Sequence, residues 1–441
     1  MNIWIRSFIV FLILFNFRIP LLYSSSVLAV VLSCLYYLSK RKKSIPIDYF
    51  LGRYEALIFT GAIVVILICI SIAILHTTNE FTLVKVFLLQ LFMLFSLVFA
   101  LPYLLPKEED SIAFERASCI LCHVFALQGA IHLSGLMVPP IGEFFISIKS
   151  EALQDRILND IYDTQFRGYS LTGQPFFELP AGYGVSFILF FRLLLNKKVK
   201  LFGFYKATAL FVLLLIGSIL SGRTAFVGLA MGLLMSLFLL HQPLRSLAKA
   251  AKALVLISSL FLFIYGVLPS SQKKVLLNNV FPFAFEAFYN YESTGKFQTR
   301  STDVISESHY FPLSEKTLKK GDGWFDKNGD YYKNTDAGYM RFVLFGGIPF
   351  LIVLIIYELL YFARPLQLSF REKTEESRAD FYCFLTLLLH IFILNYKGTA
   401  LGSQNIMQVL ILFVGSAYMT RYYQRKNEDR RLINDSITLL T

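Results

Sequence analysis

Apolar positions along the chain come in long runs separated by polar breaks. The runs fall at about 3–20, 22–39, 54–76, 82–104, 117–137, 180–196, 204–220, 224–240, 252–268, 338–362, 379–395 and 404–421. A membrane span needs roughly 20 mostly apolar residues, because the hydrocarbon core is about 30 Å thick and a helix rises about 1.5 Å per residue. The pattern therefore predicts an all-α polytopic integral membrane protein with about twelve transmembrane helices, one domain over 1–441. The first run reads as a span and not as a cleaved signal peptide. Phe8 to Phe15 are all apolar, but no small-residue cleavage site follows.

Two breaks are long, 138–179 and 269–337. The first carries Glu151, Asp155, Asp160, Asp163, Arg167 and Glu178; the second is roughly charge-balanced and rich in Tyr, Asn, Gly and Ser. Neither has the length or apolar content of an independent domain, so each is expected to fold as short helices capping the bundle. No internal repeat of the kind that builds transporters is visible.

Composition agrees with the pattern: the 441 residues are 56% hydrophobic and 16% charged, against about 25% charged in a soluble domain. A net charge of +12 would suggest nucleic acid as a partner, but the cations sit in short loops, and no nucleic-acid partner is expected. Lys40-Arg41-Lys42-Lys43 follows the second run; Lys197, Lys198 and Lys200 follow the sixth; Arg245, Lys249 and Lys252 follow the eighth. Arg364, Arg371, Lys373 and Arg378 follow the tenth, and Arg421, Arg425 and Lys426 the last. Alternating spans put all of these on one side, which the positive-inside rule makes the cytoplasm. Both termini are then cytoplasmic, and the two long segments face outward. The break after the fourth run departs from the trend, with Lys107 outweighed by Glu108, Glu109 and Asp110, but acidic residues count little in this rule.

The five cysteines (Cys34, Cys69, Cys119, Cys122, Cys383) all lie in apolar runs, which argues against a disulfide framework. Cys119-Ile-Leu-Cys122-His123 has the spacing of a haem c attachment site, but it falls inside a span, where no haem is expected.

Charges that remain at membrane depth are costly and so become the functional candidates. Ser221-Gly222-Arg223-Thr224-Ala225 turns one apolar run directly into the next. Arg223 would sit at the outer mouth of the bundle, where a guanidinium can clamp a phosphate through two parallel hydrogen bonds. Thr224 opens a helix whose positive end also favours an anion. An Arg snorkelling to lipid headgroups is the plainer alternative, against which the small flanking residues point to a tight, buried turn.

Arg167-Gly-Tyr-Ser-Leu-Thr-Gly173-Gln-Pro175 runs on through Glu178-Leu-Pro180-Ala-Gly182 just before the sixth span. Its Gly and Pro residues fix turns that would hold Arg167 and Glu178 near the membrane surface; an ordinary ordered loop is the competing reading. The outer segment ends in Asn334-Thr335-Asp336-Ala-Gly338-Tyr339-Met-Arg341, followed by Phe345-Gly346-Gly347. Asp336 stands where the tenth span begins, as N-cap or as catalytic carboxylate. Arg341 falls about one turn further in, which a cap does not explain. Arg300 and His309 lie earlier in the segment. Lys397, in Asn395-Tyr396-Lys397-Gly398-Thr399, faces outward against the charge bias, as a phosphate partner or as an interfacial residue. No P-loop, HExxH or Asp-x-Asp pair occurs, so neither nucleotide, metal nor other cofactor is expected.

Taken together, the many spans, the Ser-Gly-Arg-Thr-Ala turn, and the Asp336-Ala-Gly338-Tyr-x-Arg341 stretch before a Gly-Gly helix resemble the O-antigen polymerases, the Wzy-type enzymes of lipopolysaccharide assembly. Phe15-Asn-Phe-Arg18-Ile-Pro20 and the Arg167 segment look like that family too. The resemblance implies a GT-C-like bundle in the bacterial inner membrane and a metal- and nucleotide-independent glycosyltransferase. Such an enzyme moves a glycan from one undecaprenyl diphosphate onto a lipid-linked repeat unit at the periplasmic face, usually with a polysaccharide chain-length regulator protein. Its pyrophosphate- or glycan-holding arginines correspond by place to Arg167, Arg223, Arg300 and Arg341. Preorganised guanidinium groups would stabilise charge on the departing diphosphate. The attacking hydroxyl would need a general base, Asp336 first and then Glu178 and His309.

O-antigen ligases share this layout and donor but deliver glycan to lipid A core, and usually carry a His-Asn pair where this chain has Thr335-Asp336. A lipid-linked oligosaccharide flippase or other transporter would spread charge through several helices, whereas here the charges gather at the outer mouth. Both departures favour the polymerase.

Overall fold

The computed structural model describes residues 3–19, 22–39, 52–105, 107–159, 164–196, 203–239, 265–266, 268–296, 298–327 and 330–438. The chain is predominantly α-helical. Two shorter apolar helices, α1 (Ile3–Phe15) and α2 (Ser25–Ser39), lead into α3 (Arg53–Leu75), α4 (Thr82–Leu104) and α5 (Ala113–Met137). Residues 138–179 hold α6 (Pro139–Ser147), α7 (Glu151–Leu158) and a single 3₁₀ turn over Gln165–Tyr169. Then come α8 (Glu178–Leu195), α9 (Phe204–Ser221) and α10 (Thr224–Leu239).

Residues 269–337 form short helices: α11 (Ser270–Val275), α12 (Phe281–Ala284), α13 (Glu286–Thr294), α14 (Arg300–Val304) and α15 (Glu315–Lys320). Three long helices close the chain, α16 (Gly338–Arg371), α17 (Glu375–Lys397) and α18 (Asn405–Thr438). The all-α expectation misses one detail, a two-stranded antiparallel hairpin that pairs Asp326 with Tyr331 and Lys327 with Asp330.

Among the described residues seven helices are long and apolar enough to cross a membrane: α3, α4, α5, α8, α9, α16 and α17; α1, α2 and α10 are shorter apolar helices. The run at 252–268 lies almost wholly outside the described residues, as do Asp160 and Asp163 and the basic clusters at 40–43, 197–200 and 245–252. Every other apolar run coincides with a helix, though the ends move. The first stops at Phe15, where Asn16 turns to φ +37°. Ser25 and Ser26 then donate to Leu12 O and Ile13 O at 2.7 and 3.2 Å, satisfying carbonyls that the helix end leaves open.

α16 is broken. Gly346 (φ −134°) and Gly347 (φ +72°) interrupt its helical path, the second in a conformation that favours glycine. The carbonyls freed by the break are met from outside the helix: Asp322 N donates to Leu344 O at 2.6 Å and Gly323 N to Phe345 O at 3.0 Å. Irregular backbone at membrane depth persists only when such partners exist.

The ends of the bundle differ in kind. At one end, Arg192 near the close of α8 binds Asp380 of α17 at 2.5 Å. Arg421 of α18 binds Asp380, Glu115 and, at 3.2 Å, Glu376. Arg192 and Arg421 are each 2% exposed, so Arg421 belongs to a buried ionic network and not to a solvated loop as the sequence pattern suggests. At the other end, where α5, α9 and α17 finish and α8, α10 and α16 begin, the segments 138–179 and 269–337 come together.

Candidate functional site

These two segments, the turn between α9 and α10 and the tip of α17 line a cavity of about 910 Å³. Five cationic side chains line it, Arg156, Arg167, Arg223, Arg300 and Lys397, against two carboxylates, Glu286 and Asp336, and one histidine, His309.

Arg223 occupies the step between α9 and α10. The chain reverses there through Gly222 at φ +150°, outside the range that side-chain-bearing residues favour. Its guanidinium pairs with Glu286, reaches Ser301 Oγ at 3.4 Å, and lies 4.9 Å over the Phe283 ring. Lys397 Nζ donates to the same Ser301 Oγ at 3.3 Å. One hydroxyl and one carboxylate thus hold two cations, one from the α9–α10 turn and one from the end of α17, occupying positions that oxygens of an anionic ligand would take.

Arg167 has a positioning role as well. Its Nε donates to Ser221 O at 2.9 Å and its Nη2 to Phe176 O at 2.8 Å, which ties the first long segment to the Arg223 turn. Its guanidinium also lies over Phe176 and Phe283, at 4.9 and 5.3 Å. Arg300 is exposed at the start of α14, and its backbone N–H donates to Glu286 Oε1 at 2.8 Å. Glu286 therefore joins Arg223 to the turn that carries Arg300.

His309 and Asp336 face each other. The Asp336 N–H donates to His309 Nδ1 at 3.3 Å, which puts the ring proton on Nε2, and Nε2 lies 3.4 Å from Asp336 Oδ1. Thr335 Oγ1 donates to His309 O at 3.0 Å, and Tyr310 stacks on Tyr396 with centroids 4.9 Å apart. The imidazole has both nitrogens turned to Asp336 and is 12% exposed, whereas the carboxylate is 43% exposed. Asp336 is not the cap of α16: that position is Ala337, with no side-chain capping bond. The carboxylate is left for the cavity.

Two expected site residues lie elsewhere. Glu178 Oε2 accepts the Ile406 N–H at 3.1 Å, so its carboxyl is taken up by an open backbone donor at the N-terminus of α18. Arg341 is 5% exposed and binds Asp326 at 2.5 Å, its guanidinium between the rings of Phe325 (3.7 Å) and Tyr331 (4.1 Å). It fastens the hairpin to α16 and does not line the cavity. Sequence reasoning in turn missed Arg156, Glu286 and Ser301. The first shared its segment with Arg167, but nothing in the pattern of the second segment separates Glu286 from its other acidic residues.

Among the described residues no group of three His, Cys, Asp or Glu side chains has the arrangement of a metal site, and the five cysteines are free. Comparisons with family models, with curated proteins and with solved structures find no match. The case for a function therefore rests on the cavity.

Proposed function

We propose that this protein polymerises undecaprenyl-diphosphate-linked O-antigen or related surface-polysaccharide repeat units at the periplasmic face of the bacterial inner membrane. The observation that carries the reading is the convergence of Arg167, Arg223, Arg300, Lys397, His309 and Asp336, drawn from two distant segments, the α9–α10 turn and the tip of α17, on one cavity at one end of an apolar bundle. In this reading that end is periplasmic, about twelve spans cross the membrane, and both termini are cytoplasmic.

The donor diphosphate enters with its oxygens toward Arg223, Arg300 and Lys397, displacing Glu286 and Ser301 from the first and last. The acceptor hydroxyl, on the sugar of a second lipid-linked unit, lies against Asp336. As its oxygen bonds to the anomeric carbon, the proton passes to the Asp336 carboxylate. The glycosidic C–O bond breaks, and the electron pair leaves on the lipid diphosphate, whose growing charge the cations stabilise. His309 holds the Asp336 carboxylate in place. Membrane lipid surrounds the bundle, and a chain-length regulator is the expected protein partner.

The ionic network that closes the opposite end supports transfer at a surface over translocation through the bundle. The test is the surface polysaccharide of cells lacking the gene, resolved on a gel. Collapse of the ladder to core plus one unit, restored by wild type and not by Arg223→Ala at equal protein level, is the expected result. Bare core would point to ligation or flipping, and an unchanged ladder would end the proposal.

A further inference from the structure

His309 ends the short helical turn Ile305–His309, and Asp336 stands just before the start of α16. A helix end leaves its last carbonyls open. That of His309 is met by Thr335 Oγ1, which donates to it at 3.0 Å. The same oxygen accepts the N–H of Ala337, the residue that caps α16, at 3.3 Å. A threonine hydroxyl has one proton to give and lone pairs to receive; here the proton goes to one segment and a lone pair to the other. The next residue adds a second tie, since the Asp336 N–H holds His309 Nδ1 at 3.3 Å. Backbone and ring of His309 are thus fastened by two consecutive residues. Tyr310 OH in turn donates to Tyr396 O at 2.8 Å, which fixes the residue after His309 to the end of α17.

The chain is bent to deliver that hydroxyl. Lys333 and Asn334 are both left-handed, at φ +55° and +54°, a conformation uncommon outside glycine and one that asparagine tolerates well. Beyond the bend Thr335 is 0% exposed, while Asn334 stays exposed and the Asp336 carboxylate is 43% exposed. Lys333 is anchored as well: its Nζ donates to Asp322 Oδ2 at 2.9 Å, and Thr317 Oγ1 donates to Asp322 Oδ1 at 2.8 Å. Asp322 N is also the donor that meets Leu344 O at the break in α16. A run of polar contacts therefore leads from the broken helix to the cavity carboxylate, and Thr335 is its last link.

We propose that Thr335 is the positioning residue of the His309–Asp336 pair, its hydroxyl joining the two segments so that imidazole and carboxylate reach the cavity already aligned. Thr335 does not line the cavity and acts through His309 and the start of α16. What the aligned pair does rests on the polymerase reading; the alignment does not. A valine in its place would fill the same space but leave two backbone groups without their partner, whereas a serine would keep both bonds.

The test treats full-length protein in nanodiscs with diethyl pyrocarbonate and follows each histidine by peptide mass spectrometry, with His76 as internal reference. Thr335→Val should label His309 about three- to tenfold faster, the gain expected when a hydrogen bond of ordinary net strength is lost. Thr335→Ser should label it at the wild-type rate. In polymerisation of lipid-linked repeat units, Thr335→Val should lower kcat by about 10²-fold with KM little changed, and Thr335→Ser should restore it. If Thr335→Val does not fold, Asn334→Val takes its place, because a β-branched residue is strained at φ +54°. Asn334→Gly, which is not strained there, is its control. His309 labelling in the valine variant equal to wild type overturns the proposal, and so does a serine variant as defective as the valine one. A wild type that polymerises nothing ends the polymerase reading instead, and the labelling then decides the positioning by itself.

Discussion

Asp336 and His309 show how far a single side chain can be read from sequence. The position of Asp336 before an apolar run fits a helix cap, and only the fold shows that Ala337 holds that place and leaves the carboxylate for the cavity. His309 reads as a loop histidine until the Asp336 N–H is seen bonded to its Nδ1. On the proposed chemistry, Asp336→Asn removes the proton acceptor and should lower the polymerisation rate by about 10²–10⁴-fold. His309→Gln should cost less, because it loosens the carboxylate without removing it. In-vitro polymerisation of lipid-linked repeat units, with both variants at equal folded amounts, checks the ranking. Equal losses would show that the pair acts as a unit, the carboxylate being of no use unless His309 holds it.

Lys149 carries a second residue-scale consequence. It is buried, its Nζ donates to Ser170 O and Thr172 O at 2.7 and 2.9 Å, and burial pushes its pKa from 10.5 down to about 7. Between those values the unfolded chain holds a proton that the folded chain gives up, so stability should rise with pH across that window. Thermal melts above pH 7 should show the wild type gaining on Lys149→Gln as pH increases. A constant difference between the two would mean that the lysine stays charged when folded.

At the scale of elements, the apolar runs made most helices legible, because a span must be both long and clean. Their interruptions were not. Gly346-Gly347 is plain in the sequence, but the break it makes in α16 depends on Asp322 and Gly323, more than twenty residues upstream, which satisfy the freed carbonyls. Arg341 was misjudged for the same reason. Its partners Asp326, Phe325 and Tyr331 reach it through a hairpin that no periodicity announces. Because Gly347 has φ +72° and a Cβ there would press on the backbone of Leu318 and Lys319, Gly347→Ala should destabilise the protein by about 1–3 kcal/mol. The expected readout is a lower Tm together with faster proteolysis of the 321–331 segment. An unchanged Tm would show that the break relaxes without cost.

For the whole molecule, the asymmetry between the two ends is the feature that charge counting captured least well. The positive-inside rule treats Arg421 as one more loop cation, but the fold buries it with Arg192, Asp380, Glu115 and Glu376, joining α5, α8, α17 and α18. Such a network closes its end of the bundle and leaves the cavity end as the place where chemistry can vary. Neutralising one member strands the others, so Asp380→Asn should cost about 3–5 kcal/mol, because two buried guanidinium groups lose a shared carboxylate. Arg192→Met in the Asp380→Asn background removes one of those stranded charges and should recover part of the loss. Melting temperatures of the wild type, both single variants and the double variant decide the matter. Additive losses would show that Arg192 and Asp380 act independently, and that the end of the bundle is closed by apolar packing alone.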